Sequence, residues 1–123
     1  MSSINIFFED VRPFKHKRKP IKNHIKSLIM NELCLLGDLS VIFCSDRYLL
    51  GINKQYLNHD YYTDIVAFNY VEDSVISGDL FISLERVKEN AETFESKFVV
   101  ELYRVVFHGV LHLIGYNDKT DAE

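Results

Sequence analysis

The stretch that decides the fold covers residues 98–115 and reads FVVELYRVVFHGVLHLIG. Apolar residues recur in it every three or four positions, which is the spacing of one face of an α-helix. Gly115 comes directly after this pattern and favours a left-handed turn that ends a helix. We therefore predict a helix that is capped by Ser96, ends at about Ile114 and buries one side in the core. The predicted buried side consists of Phe98, Leu102, Val105, Val106, Gly109 and Leu113.

A polar stripe made of Glu101, Arg104, His108 and His112 runs along the adjacent side of the same helix. His108 and His112 are four residues apart, so their imidazoles lie about one turn from each other on one face. Because Gly115 lets the chain fold back, Asp118 can bring a carboxylate near them. Three protein ligands with an open fourth position are typical of catalytic zinc. The spacing also fits two ordinary boundary histidines, with Glu101 and Arg104 forming a plain ion pair.

Upstream of this helix, the sequence predicts two strands that alternate with two helices. Residues 4–9 are rich in β-branched and aromatic residues, which favours a strand, and residues 38–44 favour another. Pro20 fits the first turn of a helix whose apolar stripe continues to Leu36 and is ended by Gly37. Ser45 and Asp46 can cap the second helix. The two apolar stripes are Ile21, Ile25, Leu28, Ile29, Leu33 and Leu36, and then Leu49, Ile52 and Tyr56.

Between these elements and the last helix, the sequence predicts a β-hairpin and a short helix. Residues 64–70 and 77–84 are strand-like segments joined by a polar connection, and Val87, Ala91 and Phe94 mark the short helix. The predicted order is therefore β-α-β-α-β-β-α-α. This order indicates an α+β fold, with a mixed sheet of about four strands and helices packed mainly on one face. Residues 1–123 are predicted to form a single domain.

The composition is that of an ordinary globular protein. Hydrophobic residues make up 47% of the sequence and charged residues 26%, which argues against a disordered chain. No apolar run approaches the roughly 20 residues that a membrane-spanning helix needs, and the start lacks the features of a signal peptide. Cys34 and Cys44 lie in apolar surroundings and form no Cys-x-x-Cys unit, which favours buried, reduced thiols in a cytoplasmic protein.

The charge of the chain is unevenly distributed. The formal net charge is −4, but residues 12–22 hold 6 of the 14 Lys and Arg residues and no acidic residue. The rest of the chain therefore carries 8 basic against 18 acidic residues. A basic patch on an acidic body can bind phosphate groups, and the alternative is a solvated loop. The predicted RNA contacts in this segment are Lys15, Lys17, Arg18, Lys19 and Lys22.

Several motifs together resemble one known protein family. The first is HGVLHLIGY at residues 108–116. Asn53 with Tyr56, the segment TDIVAF at residues 63–68 and the segment GDLFIS at residues 78–83 follow the family's order. These motifs resemble the YbeY family, whose members are bacterial single-strand-specific endoribonucleases of ribosomal RNA maturation. The motifs extend over residues 52–118, and the layout of the remaining chain also fits.

Two positions depart from the family pattern. The family has a histidine as third zinc ligand six residues after the second, where this chain has Asp118. A carboxylate oxygen is also an accepted zinc ligand. The family usually has an arginine associated with activity where this chain has Leu57. Another cation, for which Arg104 is a candidate, must then meet the charge of the transition state.

The resemblance implies a zinc-dependent, single-strand-specific endoribonuclease of ribosomal RNA processing, acting at the 3′ end of the small-subunit RNA and in ribosome quality control. One zinc ion per chain would be held by His108, His112 and Asp118, which act in catalysis through a metal-bound water. The implied partners are single-stranded RNA, ribosomal RNA and small-subunit ribosomal proteins, with no membrane.

The general base of this reaction is open, and so are two other function classes. Gly109 stands where the motif His-Glu-x-x-His has its glutamate base, which argues against an ordinary metallopeptidase. Asp64 and Asp79 are therefore the candidate bases, although either carboxylate could equally cap a turn. The other classes are a zinc metallohydrolase acting on a peptide or amide, and a ribosome-binding module with a degenerate metal site.

Overall fold

The computed structural model describes residues 3–13, 18–58 and 63–115 and confirms the predicted order of elements. The first half contains β1 (Ser3–Phe8), α1 (Arg18–Asn31), β2 (Leu35–Cys44) and α2 (Asp46–Leu57). The second half contains β3 (Ile65–Asn69), β4 (Val75–Ser83), α3 (Leu84–Thr93) and α4 (Phe98–Ile114). Within these ranges, no helix is both long and apolar enough to cross a membrane.

The four strands form one mixed sheet in the order β1-β2-β4-β3. β1 pairs with β2 and β2 pairs with β4 in parallel, whereas β3 and β4 form the predicted antiparallel hairpin. The parallel neighbours are joined through helices, because a parallel pair needs a long crossover connection. β3 therefore lies at one edge of the sheet and β1 at the other.

The main core lies between one face of the sheet and the helices α1, α3 and α4, as predicted. α1 contributes Ile21, Ile25 and Ile29 to this core, which also receives Leu80 and Ile82 from β4. The side of α4 predicted to be buried is buried except at Phe98, which is 39% exposed. α2 packs on the opposite face, where Leu49 meets Cys44 and Val66. Burial of these apolar side chains is the main force that holds the helices to the sheet.

The end of the first helix differs from the prediction. α1 ends at Asn31 rather than near Leu36, because Leu33 adopts a left-handed conformation (φ 61°) and turns the chain. Leu33 is 90% exposed although it continues the apolar spacing of the helix. Gly37 lies inside β2, at an irregularity of the register with β4, where a Cβ would come within 2.1 Å of Ser77 Oγ. The glycine thus permits close strand packing and does not end a helix.

Of the two predicted serine caps, one is confirmed and the other is wrong. Ser45 Oγ accepts a hydrogen bond from the Tyr48 N–H at 3.0 Å at the start of α2. The residue that precedes α4 is Lys97, and it makes no side-chain cap. Ser96 instead completes the turn after α3, since its N–H donates to the Ala91 carbonyl at 2.9 Å. The reason is that only four residues separate α3 from α4, so the closing turn of α3 uses Ser96.

Both cysteines are free thiols. Cys44 is fully buried as predicted, whereas Cys34 is only partly buried. Burial raises the pKa of the Cys44 thiol to about 12, with a smaller contribution from the carboxylates of Asp10, Glu9 and Asp46. Cys44 therefore stays protonated at neutral pH and is a packing residue rather than a nucleophile.

Candidate functional site

The polar stripe of α4 lies outside the packed core, as its spacing predicts for three of its four members. His108 is partly buried, while His112 and Arg104 are exposed. Glu101 is the exception, because it is 2% exposed. The two histidines thus lie at the boundary between core and solvent.

Close packing of α4 on the hairpin fixes where this stripe lies. A Cβ at Gly109 would come within 2.5 Å of Ile65 Cδ1, and a Cβ at Gly78 within 3.1 Å of the Leu113 side chain. These glycines let the helix approach β3 and β4 closely. On the flank of α4 that faces α1, the Tyr103 ring contacts His24 at 5.2 Å between centroids. His108 and His112 lie on the other flank, which is the one nearer β3, because Gly109 between them packs on Ile65.

The helix ends where the sequence predicts. Gly115 has a φ of 129°, and its N–H donates to the carbonyls of Leu111 and His112. A positive φ of this size is available to glycine at little cost, so the helix can end here, three residues after His112. Asp118 lies outside the described residues. In the part of the chain that the structure describes, no group of three or more His, Cys, Asp or Glu side chains is arranged to hold a metal ion.

Residues of the upstream motifs lie on the other side of β3. Asn53 is buried on α2, and its Nδ2 donates to Thr63 Oγ1 at 3.0 Å, which ties α2 to the segment before β3. Tyr56 was predicted on the buried face of α2 but is 59% exposed, with its ring packed edge-on against Phe68 at 5.7 Å. Leu57 is 37% exposed and offers no charge at this place.

The two candidate bases occupy different places in the fold. Asp64 comes directly before β3, and its backbone carbonyl accepts a hydrogen bond from the Ser83 N–H at 3.0 Å. The Asp64 carboxylate is near enough to Arg104 to help raise the pKa of that guanidinium. Asp79 lies between Gly78 and Leu80, which both face α4, so its side chain points to the opposite face of the sheet. The Asp64 carboxylate acts in the same way on Arg86, so it lies within electrostatic range of both arginines, whereas Asp79 points away from α4.

The ion pair that the sequence left open as an ordinary alternative is present. Arg104 Nε donates to Glu101 Oε1 at 2.9 Å, and Arg104 Nη2 donates to Glu101 Oε2 at 2.5 Å. These hydrogen bonds lower the pKa of the Glu101 carboxyl, although burial acts in the other direction. Helical spacing identified the two residues as neighbours, but it gave no signal that Glu101 is buried.

A second arginine network was missed by sequence reasoning. Arg86 Nη2 donates to Asp46 Oδ2 at 2.8 Å, and Ser83 Oγ donates to Asp46 Oδ1 at 3.2 Å. Glu85 Oε1 accepts a hydrogen bond from the Asp46 N–H at 2.7 Å. These contacts join the first turns of α2 and α3 at the ends of β2 and β4, so their role is structural. The only sequence signal was a serine before each helix.

The described part of the basic segment lies on the β1 side of the sheet. Lys15 and Lys17 fall outside the described residues, while the Arg18 guanidinium lies 5.1 Å from the centre of the Phe8 ring of β1. Lys22 follows on α1 and points about 200° around the helix from His24, the residue that contacts Tyr103 of α4. β1 and β3 are the two edge strands, three strand spacings or roughly 14 Å apart, so Arg18 lies on the side of the sheet away from β3.

Comparisons with known proteins agree with this architecture. A family model described as endoribonuclease YbeY matches residues 9–123. A Parabacteroides distasonis protein named endoribonuclease YbeY is 48% identical over 121 residues, covering 98% of this chain and 85% of that protein. The Flavobacterium psychrophilum protein of the same name is 52% identical over 101 residues, covering 82% of this chain and 72% of that protein. The solution structure of TM1509 from Thermotoga maritima is 28% identical with a TM-score of 0.63, covering 95% of this chain and 78% of that one.

Proposed function

The chain belongs to the endoribonuclease YbeY family, and on that basis we propose that it hydrolyses phosphodiester bonds of single-stranded RNA with zinc as its cofactor. The observation that carries the proposal is the histidine pair, which α4 presents beside the β3 edge rather than inside the core. A zinc-dependent hydrolase needs such ligands at a solvent boundary, because the substrate must reach the ion.

The residues that would hold the ion are His108, His112 and Asp118, with one zinc per chain. The histidines fit, because they share one face of α4 and neither belongs to the packed core. Gly115 fits as well, since its positive φ ends the helix only three residues before Asp118. Imidazole nitrogen and carboxylate oxygen bind zinc at similar distances of ~2.0–2.2 Å, so an aspartate can stand where the family has a histidine.

Zinc and the side chains of this protein would have separate roles in the reaction. Bound zinc supplies Lewis-acid chemistry at a phosphoryl oxygen of the substrate. Asp64 is the proposed general base, whose carboxylate oxygen takes the proton of the attacking water, since its charge acts on Arg104 of the polar stripe. Asp79 is left out of the mechanism because it lies on the other face of the sheet. Gly109 carries no side chain, so the turn between the two histidines holds no base.

The biological setting that we propose follows the family. The RNA substrate is ribosomal RNA, with maturation of the 3′ end of the small-subunit RNA and ribosome quality control as the processes served. Small-subunit ribosomal proteins are the proposed protein partners, and the cytoplasm is the proposed location.

We expect the purified protein to cleave an unstructured RNA oligonucleotide while leaving duplex RNA and single-stranded DNA largely intact. Gel analysis of end-labelled substrates, with chelator and with zinc added back, checks this expectation. Chelator should abolish cleavage and zinc should restore it. Cleavage of a peptide library by protein that leaves RNA intact would favour the amide hydrolase. Binding of RNA without any turnover at full metal occupancy would favour the ribosome-binding module.

The basic segment is expected to contribute to RNA affinity through phosphate contacts. Each neutralised phosphate contributes about −0.7 to the slope of log affinity against log salt for single strands. Replacing Lys19 and Lys22 together by alanine should therefore make this slope shallower by about 1.4. Fluorescence anisotropy with a labelled RNA between low and moderate salt measures the slope.

The matched control for this experiment is the double variant Arg47→Ala/Lys88→Ala. It removes the same charge from exposed positions on α2 and α3. We expect its slope to equal that of the wild type. If the α1 variant also keeps the wild-type slope, residues 12–22 are a solvated segment and the assignment of phosphate contacts is wrong.

A further inference from the structure

Glu101 is the only charged side chain that is buried among the residues that the structure describes. It lies in the first turn of α4, on the polar stripe that continues to His108 and His112. A carboxylate loses its hydration when it is buried and must be compensated by charge and hydrogen bonds. The groups that replace the lost hydration of the Glu101 carboxylate therefore explain how it can be buried.

The compensation comes from one guanidinium held in a fixed orientation. Arg104 donates from Nε and from Nη2 to the two oxygens of Glu101, so the pair is bidentate. Asn90 of α3 also hydrogen-bonds the Glu101 carboxylate and contributes to its lowered pKa. The two partners differ in exposure, since 53% of the Arg104 side chain is accessible against 3% of the Glu101 side chain. One end of the pair is thus anchored in the protein and the other faces solvent.

Stability gives no sufficient reason for this arrangement. Well-packed apolar residues in place of a buried ion pair are often as stable as the pair or more stable. An anchored arginine, however, retains donors for a further ligand. A guanidinium carries five N–H groups, and two of them are used by Glu101, the acceptor that Arg104 has within the described ranges. A planar fork of this kind suits the oxygens of a phosphate.

The geometry points to Glu101 as a positioning residue that holds Arg104 against a phosphate of the RNA next to the scissile one. This inference rests on the proposed function. Helical side chains lean towards the N-terminus, and Arg104 follows this rule because it reaches back to Glu101. The guanidinium is thereby drawn towards Glu101 and away from the His108 side of the stripe. Arg104 is therefore assigned to a flanking phosphate, in place of the transition-state role for which the sequence made it a candidate.

Nearby charges are consistent with a local contact rather than a general attraction. Asp64 and Glu101 both lie near Arg104, so the pair has no net positive charge to offer at long range. Its contribution has to come from directed hydrogen bonds at short range. The expected signature is a raised KM for RNA with kcat unchanged, because such a contact is made equally in the ground state and in the transition state.

The test compares Arg104→Gln with wild type in RNA cleavage, salt dependence of binding and metal content. We expect KM to rise about tenfold, the range of one hydrogen bond to a charged group, with kcat and zinc content unchanged. The salt slope should become shallower by about 0.7, as for one lost phosphate contact. Lys88→Gln, which removes an exposed charge on α3, should leave all of these quantities unchanged.

Chemically altered RNA locates the contact. A set of oligonucleotides, each with one flanking phosphate replaced by a neutral methylphosphonate, is cleaved by wild type and by Arg104→Gln. At one modified position, KM of the wild type should rise by about the same factor as KM of Arg104→Gln rises on unmodified RNA. KM of Arg104→Gln should not rise further with the RNA modified at that position, because the substitution and the modification remove the same contact. If each modification raises KM by the same factor in the wild type and in Arg104→Gln, at every position, the proposal is overturned.

Two further variants separate positioning from folding. Glu101→Gln keeps the Arg104 charge but weakens its anchor, so KM should rise by less than in Arg104→Gln, and the salt slope should lie between those of wild type and Arg104→Gln. Arg104→Gln leaves a buried carboxylate without its partner and could unfold the protein. The double variant Glu101→Met/Arg104→Met avoids this and should fold, yet show the same raised KM and shallower slope. If this folded double variant has wild-type KM and slope, the pair is only structural.

The outcome for the wild type keeps this inference distinct from the proposed function. If the wild type cleaves RNA and the variants match it, only the role of Arg104 and Glu101 is wrong. If the wild type with full metal occupancy neither cleaves nor binds unstructured RNA, both the proposed function and this inference are overturned.

Discussion

Replacing His112 by alanine is expected to remove most of the zinc and nearly all RNA cleavage. Four-ligand zinc sites bind with roughly 10–16 kcal/mol, so one ligand accounts for about 3 kcal/mol, or on the order of 100-fold in affinity. Metal analysis of protein purified without added zinc, followed by cleavage of an unstructured RNA, measures both losses. His112 is exposed, so its replacement should leave the stability of the fold almost unchanged.

The control for this experiment is His24→Ala. His24 is also exposed and helical, but it contacts Tyr103 on the flank of α4 that faces α1. We expect this variant to keep the wild-type zinc content and activity. Equal zinc stoichiometry in wild type and in His112→Ala, with both proteins folded, would show that the histidine pair is not a metal site.

Replacing Asp118 by alanine is expected to lose metal and activity nearly as severely as the histidine variant, because the site would fall from three protein ligands to two. Asp118→His should retain the metal, since imidazole and carboxylate reach zinc at similar distances of ~2.0–2.2 Å. The pair of substitutions therefore separates the loss of a ligand from a change in its chemistry. Zinc content per chain and the initial rate of RNA cleavage are the quantities to compare.

Asp121 supplies the matched control, because it is the next carboxylate along the chain. Asp121→Ala should behave like wild type in both measurements. If Asp121→Ala loses zinc and activity while Asp118→Ala keeps them, the third ligand is Asp121. If Asp118→Ala and Asp121→Ala both keep their zinc and activity, only the histidines remain as protein ligands, and a three-ligand site is contradicted.

Element types followed from local patterns, whereas some boundaries did not. The 3.6-residue spacing in residues 98–114 predicted α4, and Gly115 predicted its end, because both signals act within a few residues. The end of α1 was mispredicted, since Leu33 and Leu36 continue the apolar spacing. Pairing of Leu35 with Val75 takes that segment into β2 instead. A long-range strand pairing of this kind leaves no mark in local periodicity.

The sequence by itself determined the histidine pair and the family motifs, because spacing along one helix fixes which side chains share a face. The tertiary structure alone decided which other groups lie near that face. Strand alternation in the assembled sheet turned Asp79 away from α4, and the start of β3 placed Asp64 near Arg104. Packing against α3 buried Glu101 and so anchored the arginine. Burial and charge proximity depend on contacts between distant segments, which no local pattern encodes.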